Sequence, residues 1–291
     1  MSGAGDRGAP LVGPRKFRML GLDLDGTLLT ESFEIESTTA DRLAAVMSRG
    51  VEIVLCSGRR FSSAVRYAHE LELTTPIVVN NGTIVKDVAS GRTLYAEYFS
   101  PENALCLLRM LKEMNLPAVV LADDSLEYDY CVDVTERGNE YHAEFVSLNR
   151  EMAKVVDDLT RFRCETISEI NVFHEYEMLL SAQRRIRDDM DGKVRSIIIR
   201  RHVRYRGCTL ETAVPGTSKW GALLWIAQQR GIKPEEIVAI GDEANDIEMV
   251  REAGFGVAVA NATDEVKAAA DYVTKQPRNA GVDEAIDALF A

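Results

Sequence analysis

Apolar residues along the chain fall into short blocks separated by polar turns. Phe17 to Leu24 is a compact run ending in carboxylates, Val51 to Cys56 a second ending at Ser57-Gly58-Arg59, and Ile77-Val78-Val79 a third ending at Asn80-Asn81-Gly82. Short unbroken runs bounded by turn residues predict strands buried on both faces, as in a parallel sheet. Between them the pattern is helical. Ser37/Thr38 can cap a helix running to about Ser48 and closed by Gly50, and a second helix runs to about Leu71. After Pro215-Gly216 the alternation resumes: a helix over 217–230, a strand over Ile237–Ile240 ending at Gly241-Asp242, and a helix near 244–253. A strand over Gly256–Val259 and two further helices, near 263–270 and up to Leu289, complete it. Polar residues thus collect where strands end, the edge at which open α/β sheets hold ligands.

The middle of the chain follows another rhythm. A helix with proline in its first turn follows Ser100-Pro101 and runs to about Asn115. Strands are predicted at 118–121, 169–174, 194–199 and 207–212 and a helix near 175–189, whereas 123–165 is charged and carries no clear pattern. The whole predicts an α/β protein: a Rossmann-like parallel-sheet core over 16–83 plus 213–291, interrupted by an α+β cap over 84–212. Residues 1–15, rich in glycine, alanine and proline, read as a flexible tail. The tail contains Gly3-Ala4-Gly5-Asp6-Arg7-Gly8, which fits GxGxxG, but no strand precedes it to aim its amides at a pyrophosphate.

Composition narrows the function. The chain has 291 residues, 46% of them hydrophobic and 27% charged, enough apolar matter for a real core. With 34 Lys plus Arg against 46 Asp plus Glu, the formal net charge is −12, which argues against nucleic acid or an anionic membrane as partner. It leaves room for a small phosphorylated ligand held by a local cation. No apolar run approaches the roughly 18 residues needed to span a bilayer. Five cysteines, at 56, 106, 131, 164 and 208, are odd in number and form no CxxC pair, so they read as reduced thiols of a cytoplasmic protein.

Four segments carry chemistry. In Asp23-Leu24-Asp25-Gly26-Thr27 two carboxylates lie two residues apart at the end of a buried strand. They point the same way if the strand continues, and a turn at Gly26 would re-aim the second. Clustered acids at a sheet edge suit a hard divalent cation, Mg²⁺ first, and a carboxylate beside such an ion can attack a phosphoryl group. Gly241-Asp242-Glu243-Ala244-Asn245-Asp246 places more acid at the same edge, although its residues equally suit a capped helix start. Ser57 and the backbone N–H groups beside it, including that of Gly58, can donate to a phosphate oxygen at a helix N-terminus. Lys219, opening a helix after Pro215-Gly216-Thr217-Ser218, can neutralise phosphate charge.

In this order the four segments resemble the motifs of the haloacid dehalogenase superfamily: DxDxT/V, a hydroxyl residue after the second strand, a lysine, and GDxxND. The insertion after Asn81-Gly82-Thr83 resembles the branch with a large α/β type-two cap, the Cof-like phosphatases, and Asn81-Gly82 looks like that branch's NG signature at the cap hinge. The resemblance implies a Mg²⁺-dependent phosphatase acting on a small soluble phosphomonoester, a sugar phosphate or a phosphorylated cofactor such as FMN or pyridoxal phosphate. It makes Asp23 the nucleophile and a metal ligand, and Asp25 the general acid/base that also offers its backbone carbonyl to the metal. Asp242 becomes the third protein ligand. Ser57, Gly58, Lys219 and Asn245 would hold the phosphoryl group, with Asp246 orienting Lys219 or the metal's water shell. The same apparatus serves a phosphomutase or phosphotransferase, and a non-catalytic phosphometabolite sensor is the rival from another class.

Other features read as structural. The histidines at 69, 142, 174 and 202 show no metal-ligand spacing. Cys56 suits a buried thiol, and Trp220 and Trp225 suit helix packing. Arg200, Arg201, Arg204 and Arg206 suit a solvated or salt-bridged face. Arg59 and Arg60, beside Ser57, are the basic residues nearest the expected chemistry and the first candidates for substrate contact.

Overall fold

The computed structural model describes residues 17–123, 128–133, 139–200 and 206–290. The tail expected at 1–15, Arg201, His202 and Arg204 lie outside the described residues. The chain begins with β1 (Met19–Leu22), α1 (Ser37–Ser48), β2 (Glu52–Leu55), α2 (Phe61–Glu70) and β3 (Ile77–Val79), then a hairpin of β4 (Ile84–Lys86) and β5 (Thr93–Ala96). The middle contributes α3 (Pro101–Glu113), β6 (Ala118–Ala122), β7 (Tyr130–Asp133), α4 (Glu140–Leu148), β8 (Ala153–Val156), β9 (Ile167–His174), α5 (Tyr176–Met190), β10 (Arg195–Ile199) and β11 (Cys208–Ala213). The final part holds α6 (Lys219–Gln229), β12 (Ile237–Gly241), α7 (Ile247–Glu252), β13 (Phe255–Ala258), α8 (Asp264–Ala269), β14 (Tyr272–Val273) and α9 (Arg278–Leu289).

The core sheet has the order β14-β13-β12-β1-β2, every pair parallel, and one parallel bridge from Cys56 to Val78 sets β3 beside β2. All four residues of β1 are buried because helices cover both faces. Leu20 and Leu22 pack with Leu43 of α1, Tyr67 of α2 and Ile286 of α9. Met19 turns the other way, to Leu223 and Ile226 of α6. Full burial of one such side chain stabilises the fold by about 1.5–3 kcal/mol. The chain leaves β1 toward β2 and later returns on its other side as β12. Strand order therefore reverses between β1 and β12, and their carboxyl ends open a crevice there.

The cap sheet has the order β10-β11-β9-β6-β7-β8, antiparallel except for β7 with β8. Its period-two alternation gives two different faces. Val120, Ile170, Val172 and Leu210 pack under α3 and α5, with Leu111, Leu179 and Ile186. The opposite face carries Leu121, Asn171, Phe173, Thr209 and Glu211, all of which border the cavity between cap and core. The charged stretch 123–165, which shows no pattern in sequence, supplies β7, α4 and β8. The β4–β5 hairpin, assigned to the cap by a boundary at residue 83, packs instead with the core. Ile84 and Val88 join the cluster under α1 and α2, and Val85 joins that under α6, whereas Phe99 is the first residue in the cap's cluster. The short β4 and β5 offered too few residues to show which side they pack on.

Candidate active site

The turn after β1 separates the paired acids. Leu24 to Leu28 forms a single wide helical turn broken at Gly26, whose φ is +83°. A side chain there would face both that backbone conformation and a Cβ 2.3 Å from the Asp242 carboxylate. Asp23, at the strand end, is 3% exposed and accepts a hydrogen bond from Lys219 Nζ at 2.6 Å. Asp25 turns aside and receives both Nε and Nη2 of Arg59, each at 2.6 Å. Thr27, within the same motif, donates to Asp242 Oδ1 at 2.8 Å and so ties the first strand end to β12.

Lys219 opens α6 and is 1% exposed. Burial opposes its charge, but Asp23 and Asp246 outweigh that effect and hold it cationic. Asp246 spends one oxygen on Lys219 at 2.7 Å and the other on the N–H groups of Asp242 and Glu243, at 3.0 and 3.1 Å. Carboxylate oxygens of Asp23, Asp242 and Asp246 all lie within 4.8 Å of one another. Burial, then the Asp246 charge, raises the Asp23 pKa well above the usual carboxylate range against the pull of Lys219. The same two causes push Asp242 up to about 7. Two acids strained toward neutrality in a cluster of hard oxygen donors fit a divalent cation such as Mg²⁺. Asp23 and Asp242 are the members with room to ligate, because both Asp246 oxygens already have protein partners.

Ser57 is 1% exposed, and its Oγ accepts the Arg59 N–H at 3.1 Å. The cavity wall there is formed by Gly58 and Arg59, with Ser57 behind it. Gly58 is required by packing, since a Cβ would approach Asn81 Oδ1 to 2.8 Å. Asn245 donates to that same Oδ1 at 2.8 Å, and its own Oδ1 is buried with no hydrogen-bond partner among the described residues. Asn81 Nδ2 reaches across to the cap, to Glu169 at 2.9 Å and Glu211 at 3.0 Å. Gly82, with φ of +90°, brings this loop against the start of α6, where a Cβ would lie 2.0 Å from the Ser218 carbonyl oxygen.

Neither arginine beside Ser57 stands free. Arg59 is clamped to Asp25 and lies over the rings of Phe33 and Tyr67, at 5.4 and 5.2 Å. Arg60 crosses to the cap, pairing with Asp129 at 3.3 Å and donating to Asn149 at 3.2 Å. Both nevertheless border a cavity of about 290 Å³ that Asp23, Lys219, Asp242 and Asn245 also line. Arg200 pairs with Glu265 and Arg206 with Glu140 and Glu144, so these two members of the basic cluster form a salt-bridged face. Cys56 is buried, Trp220 packs under the sheet, and Trp225 lies 5.4 Å from Tyr95.

Sequence reasoning missed several residues at the site. Asn261 donates to the Gly26 carbonyl at 2.8 Å and holds the Asp25 turn. It follows β13, so the rule that polar residues gather after core strands would have found it. Glu169 and Glu211 are charges set into otherwise apolar strands, a signal present in the sequence but without a partner to give it meaning.

A family model for haloacid dehalogenase-like hydrolases matches residues 20–286. The chain belongs to that family. Among curated proteins, the haloacid dehalogenase-like chain is 28% identical over 265 residues to the pyridoxal phosphate phosphatase YbhA of Escherichia coli, covering 88% of this chain and 92% of the relative. It is also 28% identical over 283 residues to the 5-amino-6-(5-phospho-D-ribitylamino)uracil phosphatase YitU of Bacillus subtilis, covering 94% and 97%. Among solved structures, a haloacid dehalogenase-like hydrolase from Bacteroides thetaiotaomicron superposes with a TM-score of 0.76 at 27% identity, covering 94% of this chain and 99% of that one. Among the described residues, no helix is long and apolar enough to cross a membrane.

Proposed function

We propose that this hydrolase is a Mg²⁺-dependent phosphatase that cleaves a small soluble phosphomonoester, a sugar phosphate or a phosphorylated cofactor, through an aspartyl-phosphate intermediate. The observation that carries the reading is the Asp23–Lys219 pair at 2.6 Å, set among Asp242 and Asp246 where strand order reverses. The two phosphatase relatives support it. Asp23 and Asp242, with the Asp25 backbone carbonyl as a further donor, would hold Mg²⁺, whose charge would offset that of the phosphoryl oxygens.

Lys219, the Ser57 hydroxyl and the Gly58 N–H orient the phosphoryl group, with Asn245 assisting; the Ser57 N–H itself is spent on the Val78 carbonyl. An Asp23 carboxylate oxygen attacks phosphorus and the ester P–O bond breaks. Asp25 gives its proton to the departing alkoxide, then takes one from the water that cleaves the aspartyl phosphate, which regenerates Asp23 and releases inorganic phosphate. For this Asp25 must release Arg59, take up a proton from solvent and turn to the leaving group before the ester bond breaks. The cap excludes bulk water while the intermediate persists. Phosphate release from a panel of phosphomonoesters, with Mg²⁺ or EDTA, tests the reading. Metal-dependent release is expected, and release unaffected by EDTA would remove the metal from it.

A further inference from the structure

The cavity has two unlike ends. The core end is ionic, built from Asp23, Lys219 and Asp242, whereas the cap end is walled by Leu121, Phe145, Phe173 and Ile199. The rings of Phe145 and Phe173 are stacked 4.2 Å apart, and Tyr130 meets Phe145 edge-on at 5.2 Å, so this wall is a packed aromatic surface. Polar groups on the same face are few. Asn171 is committed to Glu169 and to the Thr212 N–H, and the other polar residues that this sheet face turns to the cavity are Thr209 and Glu211. Glu211 gives Oε2 to the Asn81 amide.

A sugar brings a hydroxyl on nearly every carbon, and those turned toward this wall would lose water without a replacement partner, since the arginines and remaining amides of the lining lie on the core side. A planar ring loses little, because its faces and edges suit the aromatic surface. The volume, about 290 Å³, is at the lower end for small-molecule sites, which favours a compact ligand. We propose that the leaving group is a single-ring aromatic or heteroaromatic alcohol, its ring against Phe145 and Phe173 and one polar ring substituent at Glu211. The proposal rests on the phosphatase reading and names the substrate class of that site.

The test compares kcat/KM of the Mg²⁺-loaded full chain for pyridoxal 5′-phosphate, benzyl phosphate, glucose 6-phosphate and glycerol 3-phosphate. Both ring substrates are expected to exceed both others by about ten-fold or more, the scale of one aromatic contact plus the avoided desolvation. Phe145→Leu should remove most of that advantage, lowering kcat/KM for the two ring substrates far more than for glucose 6-phosphate. Glu211→Gln should lower pyridoxal 5′-phosphate turnover more than that of benzyl phosphate, which has no polar ring substituent. Glucose 6-phosphate turned over as well as the ring substrates by the wild-type chain would overturn the aromatic proposal and leave the phosphatase standing. Absence of metal-dependent turnover on all four would overturn the phosphatase reading and this proposal with it.

Discussion

Lys219 is held between two carboxylates with almost no access to water, and that position gives it two roles. Its ammonium keeps Asp23 and Asp246 from repelling each other in the free protein, and it faces the phosphoryl group in the proposed complex. Lys219→Met should therefore cost about 3–5 kcal/mol of stability in EDTA, the scale of unpairing a buried charge. It should also lower turnover by about 10²-fold or more. Denaturant melts and phosphate release report the two effects separately. Mg²⁺ should compensate for part of the charge defect in the native protein, because it binds the folded acid cluster and not the unfolded chain. Thermal unfolding should accordingly shift upward on adding Mg²⁺ and return with EDTA, and Asp242→Asn should abolish most of the shift. Three of the motif segments were legible in sequence because they follow core strand ends, and the fourth, at Lys219, because it opens a helix. The destination of Asp25 was not, because two acids on one strand end and two acids parted by a turn have the same spacing; the turn at Gly26 and the guanidinium of Arg59 decide between them.

At the scale of elements, the loop after β3 is the joint between core and cap. Asn80, Asn81 and Gly82 all have positive φ, and the loop bonds forward to β9 and β11 while resting on the start of α6. Gly82→Ala meets both an unfavourable φ and the Ser218 carbonyl, so a loss of about 2 kcal/mol or more is expected in denaturant melts. Facing this loop, Glu211 is pushed up to about 8, by burial first and then by the Glu169 charge, against Lys219, Arg195 and the Asn81 amide. Glu169 is raised as well, so the pair titrates as a unit. The folded chain then holds more protons than the unfolded one from about pH 4.3, the ordinary glutamate value, to about pH 8. Stability should fall as pH rises through that window, and Glu211→Gln should flatten the decline in melts taken across it. Sequence showed the strands on which these acids sit, but their pairing with Asn81 spans up to 130 positions and emerges only from the topology.

For the whole molecule, the proposed function depends on core and cap meeting over one sheet edge. The core was readable because parallel strands and helices give long, periodic signals, and even its order of polar strand ends could be followed. The cap was readable only in part: β7, α4 and β8 are short, lie in a charged stretch, and acquire their meaning from pairing with distant strands. Arg60 links the bodies through Asp129 and Asn149. Arg60→Ala should leave the core chemistry intact but loosen the cap, raising KM by about ten-fold at most, with kcat less affected. A full steady-state curve separates the two constants.

The central claim is that Asp23 becomes phosphorylated during turnover. Acid-quenched reactions, digested and read by mass spectrometry, test it most directly. A phosphoryl adduct on the peptide containing Asp23, formed only with Mg²⁺ and absent from an inactive Asp23→Asn variant, is the predicted result. Steady turnover without that adduct, together with undiminished metal-dependent phosphate release by Asp23→Asn, would contradict the account.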